Sequence, residues 1–229
     1  MPGESSPDPR APSASSAHSA ALQETSIVSS VQYGVLLQQL SAADNFPRLT
    51  QSALKQLRYQ LAGFTSSPEF TSLVITGTEK CFAAGAELTE VSSLTATEAL
   101  RFASLGQSLM RVIEHSRKPV IAAIRGYSMG GGFDLALACH ARIAAPSAIF
   151  AHRGAALGII TGWGGTQRLP RILGPNGRTI AMELMTTGRT VDATEALRLR
   201  FISRIVVEDH LQDAAVEFAN EAAKHQASA

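Results

Sequence analysis

The segment from Pro119 to His140 restricts the possible folds of this chain more than any other part of the sequence. Residues 120–124 form a short apolar run, which is typical of a parallel strand buried on both faces. A turn with four glycines follows at residues 126–132, and an apolar helix is predicted over residues 133–140. Buried strand, glycine-rich turn and helix in this order indicate an α/β fold.

The same alternation extends in both directions. A stripe of apolar residues predicts a helix over residues 49–63, and a buried strand is predicted over residues 70–76. Thr95 and Glu98 form a capping-box pattern at the start of a helix that ends near Ser116. Further strands are predicted at residues 141–145, 148–152 and 202–207, and further helices at residues 175–187, 193–199 and 210–225. This order predicts right-handed βαβ units.

Length and charge limit the domain number and exclude several classes of protein. The 229 residues suffice for one domain, since single cores usually divide only above ~250–300 residues. We interpret residues 1–26, rich in Ser, Ala and Pro, as a disordered tail, residues 27–190 as the core domain and residues 191–229 as a C-terminal helical segment.

The net charge of +1 argues against nucleic acid as a partner. The longest apolar runs fall far below the ~18–20 residues of a membrane span, so no membrane partner is expected.

The cysteine content indicates the cellular compartment in which the protein is expected. Cys81 and Cys139 are too few for a disulfide framework or for a closed zinc site, which needs about four ligands. We therefore expect a cytoplasmic protein without a metal site. The N-terminal residues also lack the continuous apolar stretch of a secretory signal.

Two glycine-bearing loops are candidates for a ligand site. Residues 84–87 and 129–134 each follow a predicted strand and lead into a predicted helix. Small residues at such positions let backbone N–H groups approach a ligand closely, and two N–H groups that converge on one oxygen form an oxyanion hole. Alternatively, the glycines only permit tight turns and close helix packing. Their spacing does not fit the G-x-G-x-x-G pattern of dinucleotide-binding folds.

Three motifs occur in a fixed order at residues 82–88 (FAAGAEL), 118–136 (KPVIAAIRGYSMGGGFDLA) and 164–170 (GGTQRLP). Together they resemble the enoyl-CoA hydratase/isomerase (crotonase) superfamily, and the resemblance extends from about residue 27 to residue 223. It implies a crotonase-like (ClpP/crotonase) α/β fold, which is a spiral of ββα units, with a helical C-terminal part that is shortened here. It also implies an acyl-CoA thioester as partner, a homo-oligomer (trimer or hexamer) and no cofactor beyond the coenzyme A of the substrate.

The resemblance assigns the residues of an oxyanion hole. It implies that the backbone N–H groups of Ala86 and Gly131 bind the thioester oxygen, which becomes negatively charged as an enolate forms. The neighbouring residues Ala84, Gly85 and Gly130 are then expected to contact the substrate.

The acid/base positions depart from the family pattern. Asp134 stands where hydratases of the family carry one glutamate, and Gly154 stands where they carry the second. If residues 149–154 are extended, His152 points the same way as residue 154 and is a candidate base, or else a structural histidine. Gly154, Thr161 and Trp163 are candidate substrate contacts; alternatively, Trp163 only packs and Thr161 only satisfies the backbone of its loop.

The missing second carboxylate leaves the reaction open. The usual hydration uses two carboxylates to hold one water, and replacing one by Asp moves its carboxyl by ~1.5 Å. A misplacement of ~1 Å can lower the rate on the order of 10²-fold. No single relative matches at every position, because the loop aspartates of related isomerases and synthases fall at Gly162 and Thr161. We expect an enoyl-CoA hydratase or isomerase of fatty acid metabolism. The alternatives are a hydrolase or decarboxylase with the same oxyanion hole, and a catalytically silent acyl-CoA-binding subunit.

Overall fold

The computed structural model describes residues 24–227, so most of the tail predicted at residues 1–26 lies outside the described residues. The strands are β1 (Ser26–Gln32), β2 (Val35–Ser41), β3 (Ser72–Thr76), β4 (Cys81–Ala83), β5 (Val120–Ile124), β6 (Tyr127–Met129), β7 (Ala141–Ala144), β8 (Ile149–Ala151), β9 (Val191–Asp192) and β10 (Arg204–Ile205). The helices are α1 (Gln51–Ser66), α2 (Leu88–Ser93), α3 (Ala96–Glu114), α4 (Gly131–Ala138), α5 (Gly165–Leu173), α6 (Gly177–Thr187), α7 (Ala193–Arg198) and α8 (Leu211–Ala227). Two short 3₁₀ helices occupy Arg153–Leu157 and Glu208–His210.

The strands form two sheets. The larger sheet has six strands in the order β1-β2-β3-β5-β7-β10, in which only the β1–β2 hairpin is antiparallel. The smaller sheet has the order β4-β6-β8-β9, with β4, β6 and β8 parallel. Successive strands alternate between the sheets, as in β3 then β4 and β5 then β6, and each pair precedes helical structure. This arrangement is a spiral of ββα units, as the family resemblance implies.

The apolar core lies on both faces of the larger sheet. The main cluster fills the space between this sheet, the smaller sheet and helices α1, α3 and α4. A second cluster lies beneath α8, which packs against the opposite face. In α1 the predicted apolar stripe is buried, and Thr50 caps the helix by accepting a hydrogen bond from Ala53 N (3.1 Å). The predicted capping box of Thr95 and Glu98 is confirmed at the start of α3.

A buried arginine holds the helix that follows the second glycine loop. Arg142 on β7 is 7% exposed, and its guanidinium donates hydrogen bonds to the carbonyls of Ala136, Cys139 and Phe201. Two of these carbonyls lie at the C-terminal end of α4, where a positive charge is favourable. Arg142 therefore fixes α4 to the larger sheet.

Some elements differ from the sequence prediction. Residues 81–83 and 127–129 are strands where the sequence predicts a loop and a turn, because three residues are too few to show an alternation. Helices α2 and α5 form in segments for which the sequence predicts no helix, and α5 contains Pro170. The last predicted strand shortens to β10. The division of the chain into domains at residue 190 stays a prediction.

Among the helices of residues 24–227, none combines the length and the apolar character that crossing a lipid bilayer requires.

Candidate active site

The loop after β4 is fixed to the segment that precedes α1. Ala84 N donates a hydrogen bond to Pro47 O (2.8 Å), and Leu49 N donates to Gly85 O (2.7 Å). Gly85 has a φ of +94°, which favours glycine. A Cβ added to Gly85 would lie 2.8 Å from Met129 O and 3.1 Å from Gly131 N, so this loop lies directly against the loop after β6.

The loop after β6 ends at the first turn of α4. Gly130 N donates to Ala151 O (2.9 Å), and Asp134 N donates to Gly130 O (3.0 Å). The first helical N–H, on Gly131, has no acceptor within α4. Within residues 24–227, neither Gly131 N nor Ala86 N donates a hydrogen bond to another protein group. Two unpaired donors therefore stand on adjacent loops.

Both donors belong to one cavity of about 410 Å³. The predicted site residues other than Asp134 line it: Ala84, Gly85, Ala86, Gly130, Gly131, His152, Gly154, Thr161 and Trp163. Its other walls are mainly apolar and come from α2, α3 and the segment after β8: Leu88, Val91, Leu94, Ala99, Phe102, Ala103, Leu157, Ile159 and Ile160. The shape and lining suit an acyl group with a polar head directed at the two loops.

Asp134 lies behind the wall of this cavity. Its side chain is fully buried, and its Oδ2 accepts a short hydrogen bond from the hydroxyl of Thr161, a residue that lines the cavity. The other oxygen, Oδ1, lies 3.5 Å from His152 Nε2. His152 stacks on the Phe133 ring at a centroid distance of 4.9 Å and is 5% exposed. Asp134, His152 and Thr161 thus form one polar cluster, with only the last two exposed to the cavity.

Burial dominates the ionisation of this cluster. Burial raises the pKa of Asp134 to about 6, although the Thr161 hydroxyl and the backbone of Trp163 oppose the shift. Burial lowers the pKa of His152 to about 4. At neutral pH the cluster therefore holds an ionised Asp134 and a neutral His152. A carboxyl with a pKa near 6 is suited to accept or return a proton near neutrality.

The position of the second family glutamate is closed by the backbone. A Cβ added to Gly154 would lie 2.6 Å from the carbonyl oxygen of Ile159, whose own N–H donates to Gly154 O (3.0 Å). Among the described residues that line the cavity, none is Asp or Glu. The cavity therefore offers one acid/base cluster rather than two facing carboxylates.

Two further observations concern the surroundings of the cluster. Over residues 24–227, no three His, Cys, Asp or Glu side chains are grouped so that they could hold a metal ion.

The sequence does not predict the apolar wall of the cavity that α2 and α3 form. Phe102, for example, belongs to the apolar stripe of α3, and that periodicity does not distinguish a core residue from one that lines a cavity.

A model of the family described as enoyl-CoA hydratase/isomerase matches residues 31–229. The chain belongs to the enoyl-CoA hydratase/isomerase family. The predicted membership and the crotonase-like fold are thereby confirmed, and solved members superpose well. The enoyl-CoA hydratase from Bacillus anthracis has a TM-score of 0.81 at 34% identity, covering 86% of this chain and 76% of that one.

Curated members of the family are also similar in sequence. The chain is 40% identical over 164 residues to the crotonyl-CoA hydratase of Syntrophomonas wolfei, covering 71% of this chain and 62% of that protein. It is 36% identical over 173 residues to the short-chain-enoyl-CoA hydratase of Clostridium acetobutylicum, covering 75% of this chain and 65% of that protein. The matched region thus spans less than two thirds of the length of these relatives.

Proposed function

We propose that this protein is an acyl-CoA enzyme of the enoyl-CoA hydratase/isomerase type that stabilises a thioester enolate. One observation carries the proposal: two unpaired N–H groups, on Ala86 and Gly131, stand on adjacent loops at one apolar cavity. A thioester carbonyl oxygen gains negative charge when bonds form or break at its α or β carbon. Two backbone donors aimed at that oxygen stabilise the charge as it develops.

The start of α4 strengthens this stabilisation. Gly131 is the first residue of the helix, so its N–H carries the positive end of the helix dipole. The other walls of the cavity are mainly apolar, so charges beside them are screened less than in water and each electrostatic interaction is stronger. We expect the apolar walls to hold the acyl chain while the loops hold the carbonyl.

We propose Asp134 as the acid/base group, with Thr161 as its contact to the substrate. Thr161 lines the cavity, and its hydroxyl donates to Asp134 Oδ2. As base, Asp134 takes the hydroxyl proton while Thr161 Oγ1 takes a proton from the reacting carbon or water. The reverse transfer protonates the enolate. Neutral His152 lies 3.5 Å from Oδ1, and no hydrogen bond joins the two groups.

A second candidate function follows from the closed position at Gly154. Decarboxylation of a carboxylated thioester needs the oxyanion hole and one proton donor, but no pair of carboxylates around a water. The bond between the α carbon and the carboxylate breaks, its electron pair forms the enolate, and one proton then returns to the α carbon. The lack of Asp and Glu among the described residues of the cavity wall favours this reaction over ordinary hydration.

The experiment offers the purified full chain three kinds of thioester. Crotonyl-CoA loses its enoyl absorbance on hydration, a 3-enoyl-CoA gains it on isomerisation, and malonyl- or methylmalonyl-CoA releases carbon dioxide. Release of free thiol, detected with a chromogenic reagent, reports hydrolysis. We expect turnover of at least one thioester without added metal or cofactor. If the folded protein neither binds nor converts any of them, the proposed function is wrong.

A variant pair tests the oxyanion hole. In Gly131→Ala the new Cβ would lie 2.3 Å from the Trp163 ring, so the loop and its N–H must move. Loss of one such donor lowers kcat by roughly 10²–10³-fold. The matched control is Gly63→Ala, which adds a methyl to the exposed side of α1 with no atom within 4 Å. Full activity in Gly131→Ala would contradict the assigned role of this amide.

We also propose a homo-oligomer, a trimer or hexamer, located in the cytoplasm. The family resemblance supports the assembly and the two cysteines, both free and buried, fit a reducing compartment. Light scattering on the purified protein measures the mass of the assembly. A monomeric mass at micromolar concentration would contradict this part of the proposal.

A further inference from the structure

In the part of the chain that the structure describes, one charged side chain lines the cavity, and it is a cation. Arg153 is the first residue of the 3₁₀ helix after β8, and it is exposed. Its guanidinium forms no hydrogen bond or ion pair with any residue from 24 to 227. An arginine side chain has five N–H donors and keeps its charge at all ordinary pH values, so Arg153 can bind an anion.

Two other arginines near these loops are already paired with acidic residues. Arg48 contacts Glu87 (3.0 Å), and Arg168 contacts Glu114 (2.7 Å). The described lining of the cavity contains no Asp or Glu that could pair with Arg153 in the same way. The positive charge of Arg153 is therefore left for a molecule bound in the cavity.

His152 adds a hydrogen-bonding group directly beside this cation. Its side chain is 4% exposed and lines the cavity, and neither ring nitrogen has a hydrogen-bond partner among the described residues. Burying a polar nitrogen without a partner is unfavourable, so a ligand that supplies the partner gains affinity. A carboxylate has two oxygens that accept hydrogen bonds, and it therefore suits a guanidinium with an imidazole next to it.

The backbone of this segment is fixed close to the loop after β6. Gly130 N donates to Ala151 O (2.9 Å), and Arg153 follows two residues later, so its Cα is at most about 7 Å from that of Ala151. A Cβ added to Gly188, directly after α6, would lie 3.3 Å from His152 O and 3.5 Å from Arg153 Cα. The end of α6 thus packs against the backbone of both residues.

We infer that Arg153, beside the unpartnered ring of His152, binds a carboxylate on the acyl group, so that the substrate is the CoA thioester of a dicarboxylic acid. This inference rests on the proposed function, because it takes the cavity as the place of the acyl group. The apolar walls alone would favour an uncharged acyl chain. A carboxylated thioester is also the kind of substrate that the decarboxylation described above requires.

Coenzyme A itself carries phosphates, which a guanidinium also binds. The test therefore compares acyl groups on the same coenzyme. The probes are CoA amides, in which an NH replaces the thioester sulfur and slows turnover. Isothermal titration with the full chain gives the Kd for three pairs of equal carbon number: malonyl and propanoyl, succinyl and butanoyl, glutaryl and pentanoyl.

Arg153→Gln removes the charge and is expected to weaken the carboxylated member about tenfold more than its uncharged partner in at least one pair. Arg153→Lys keeps a positive charge without the planar fork of donors, so it is expected to lose less. The matched control is Arg58→Gln, which removes an exposed arginine of α1 outside the cavity and is expected to leave every ratio unchanged.

If Arg153→Gln weakens both members of every pair alike, the arginine binds the phosphates of the coenzyme and the inference is overturned. Unchanged Kd values in this variant overturn it as well. Failure of the folded wild type to bind any of the six amides overturns the proposed function instead.

Discussion

The buried pair of Asp134 and His152 makes a measurable prediction about stability. Burial raises the pKa of Asp134 from 3.8 to about 6 in the folded protein, so the native state holds a proton that the unfolded chain releases. The free energy of unfolding then falls as pH rises through this interval. Each pKa unit is worth about 1.4 kcal/mol, so the loss amounts to about 3 kcal/mol.

His152 contributes with the opposite sign. Burial lowers its pKa from 6.5 to about 4, so between these values the unfolded chain holds a proton that the native state lacks. The free energy of unfolding therefore rises by about 3 kcal/mol as pH rises through the interval. The two contributions nearly cancel between pH 4 and pH 6, and single substitutions reveal them separately.

The assay is urea unfolding, followed by circular dichroism, at intervals from pH 4 to pH 7. Relative to wild type, Asp134→Asn is expected to gain about 3 kcal/mol of stability as pH rises over this range, because only the His152 contribution remains. His152→Gln is expected to lose about 3 kcal/mol. Glu69→Gln removes an exposed carboxyl and serves as the control. Slopes of the same sign in the two variants, or slopes equal to wild type, would refute the reasoning.

Three other substitutions have expected outcomes. Thr161→Val removes the hydroxyl that reaches Asp134, so kcat should fall by roughly 10²-fold with little change in KM. Thr161→Ser keeps the hydroxyl and should retain most activity. Equal rates in both variants would rule out the proton transfer through Thr161. Arg142→Met removes the guanidinium that donates to three buried carbonyls, of which Ala136 O keeps a hydrogen bond from Cys139 N, and should cost about 3 kcal/mol in urea unfolding; a cost below ~1 kcal/mol would show that Arg142 does not fix α4. Gly154→Glu should not raise the rate of crotonyl-CoA hydration above that of wild type, because its Cβ meets Ile159 O at 2.6 Å; a faster rate would contradict this.

The sequence indicates the helices and strands that carry a recognisable pattern along the chain, and it misses those that are too short to carry one. The stripe of α1 and the capping box of Thr95 are local patterns, and both occur as predicted. Strands β4 and β6 are stabilised by pairing with each other, which three-residue segments cannot reveal alone. Sequence patterns are limited in the same way for the residues of the candidate site.

The family resemblance, rather than any local pattern, indicates that Ala86 and Gly131 come together, and the structure places them on adjacent loops. The placement of Asp134 behind Thr161 depends on packing between segments 27 residues apart. Likewise, glycine at position 106 makes room for Trp163 from a different helix, and no pattern along the chain links the two residues.

The pairing of β4 with β6 also brings the two amide donors close together. The loops that carry Ala86 and Gly131 leave from neighbouring strands, and neighbouring strands run about 4.8 Å apart. Two nitrogens at that separation can each reach a shared oxygen at about 2.9 Å, with an angle of roughly 110° at the oxygen, close to the directions of its lone pairs. In the proposed oxyanion hole, the spacing of paired strands therefore sets the scale of the gap between the two donors.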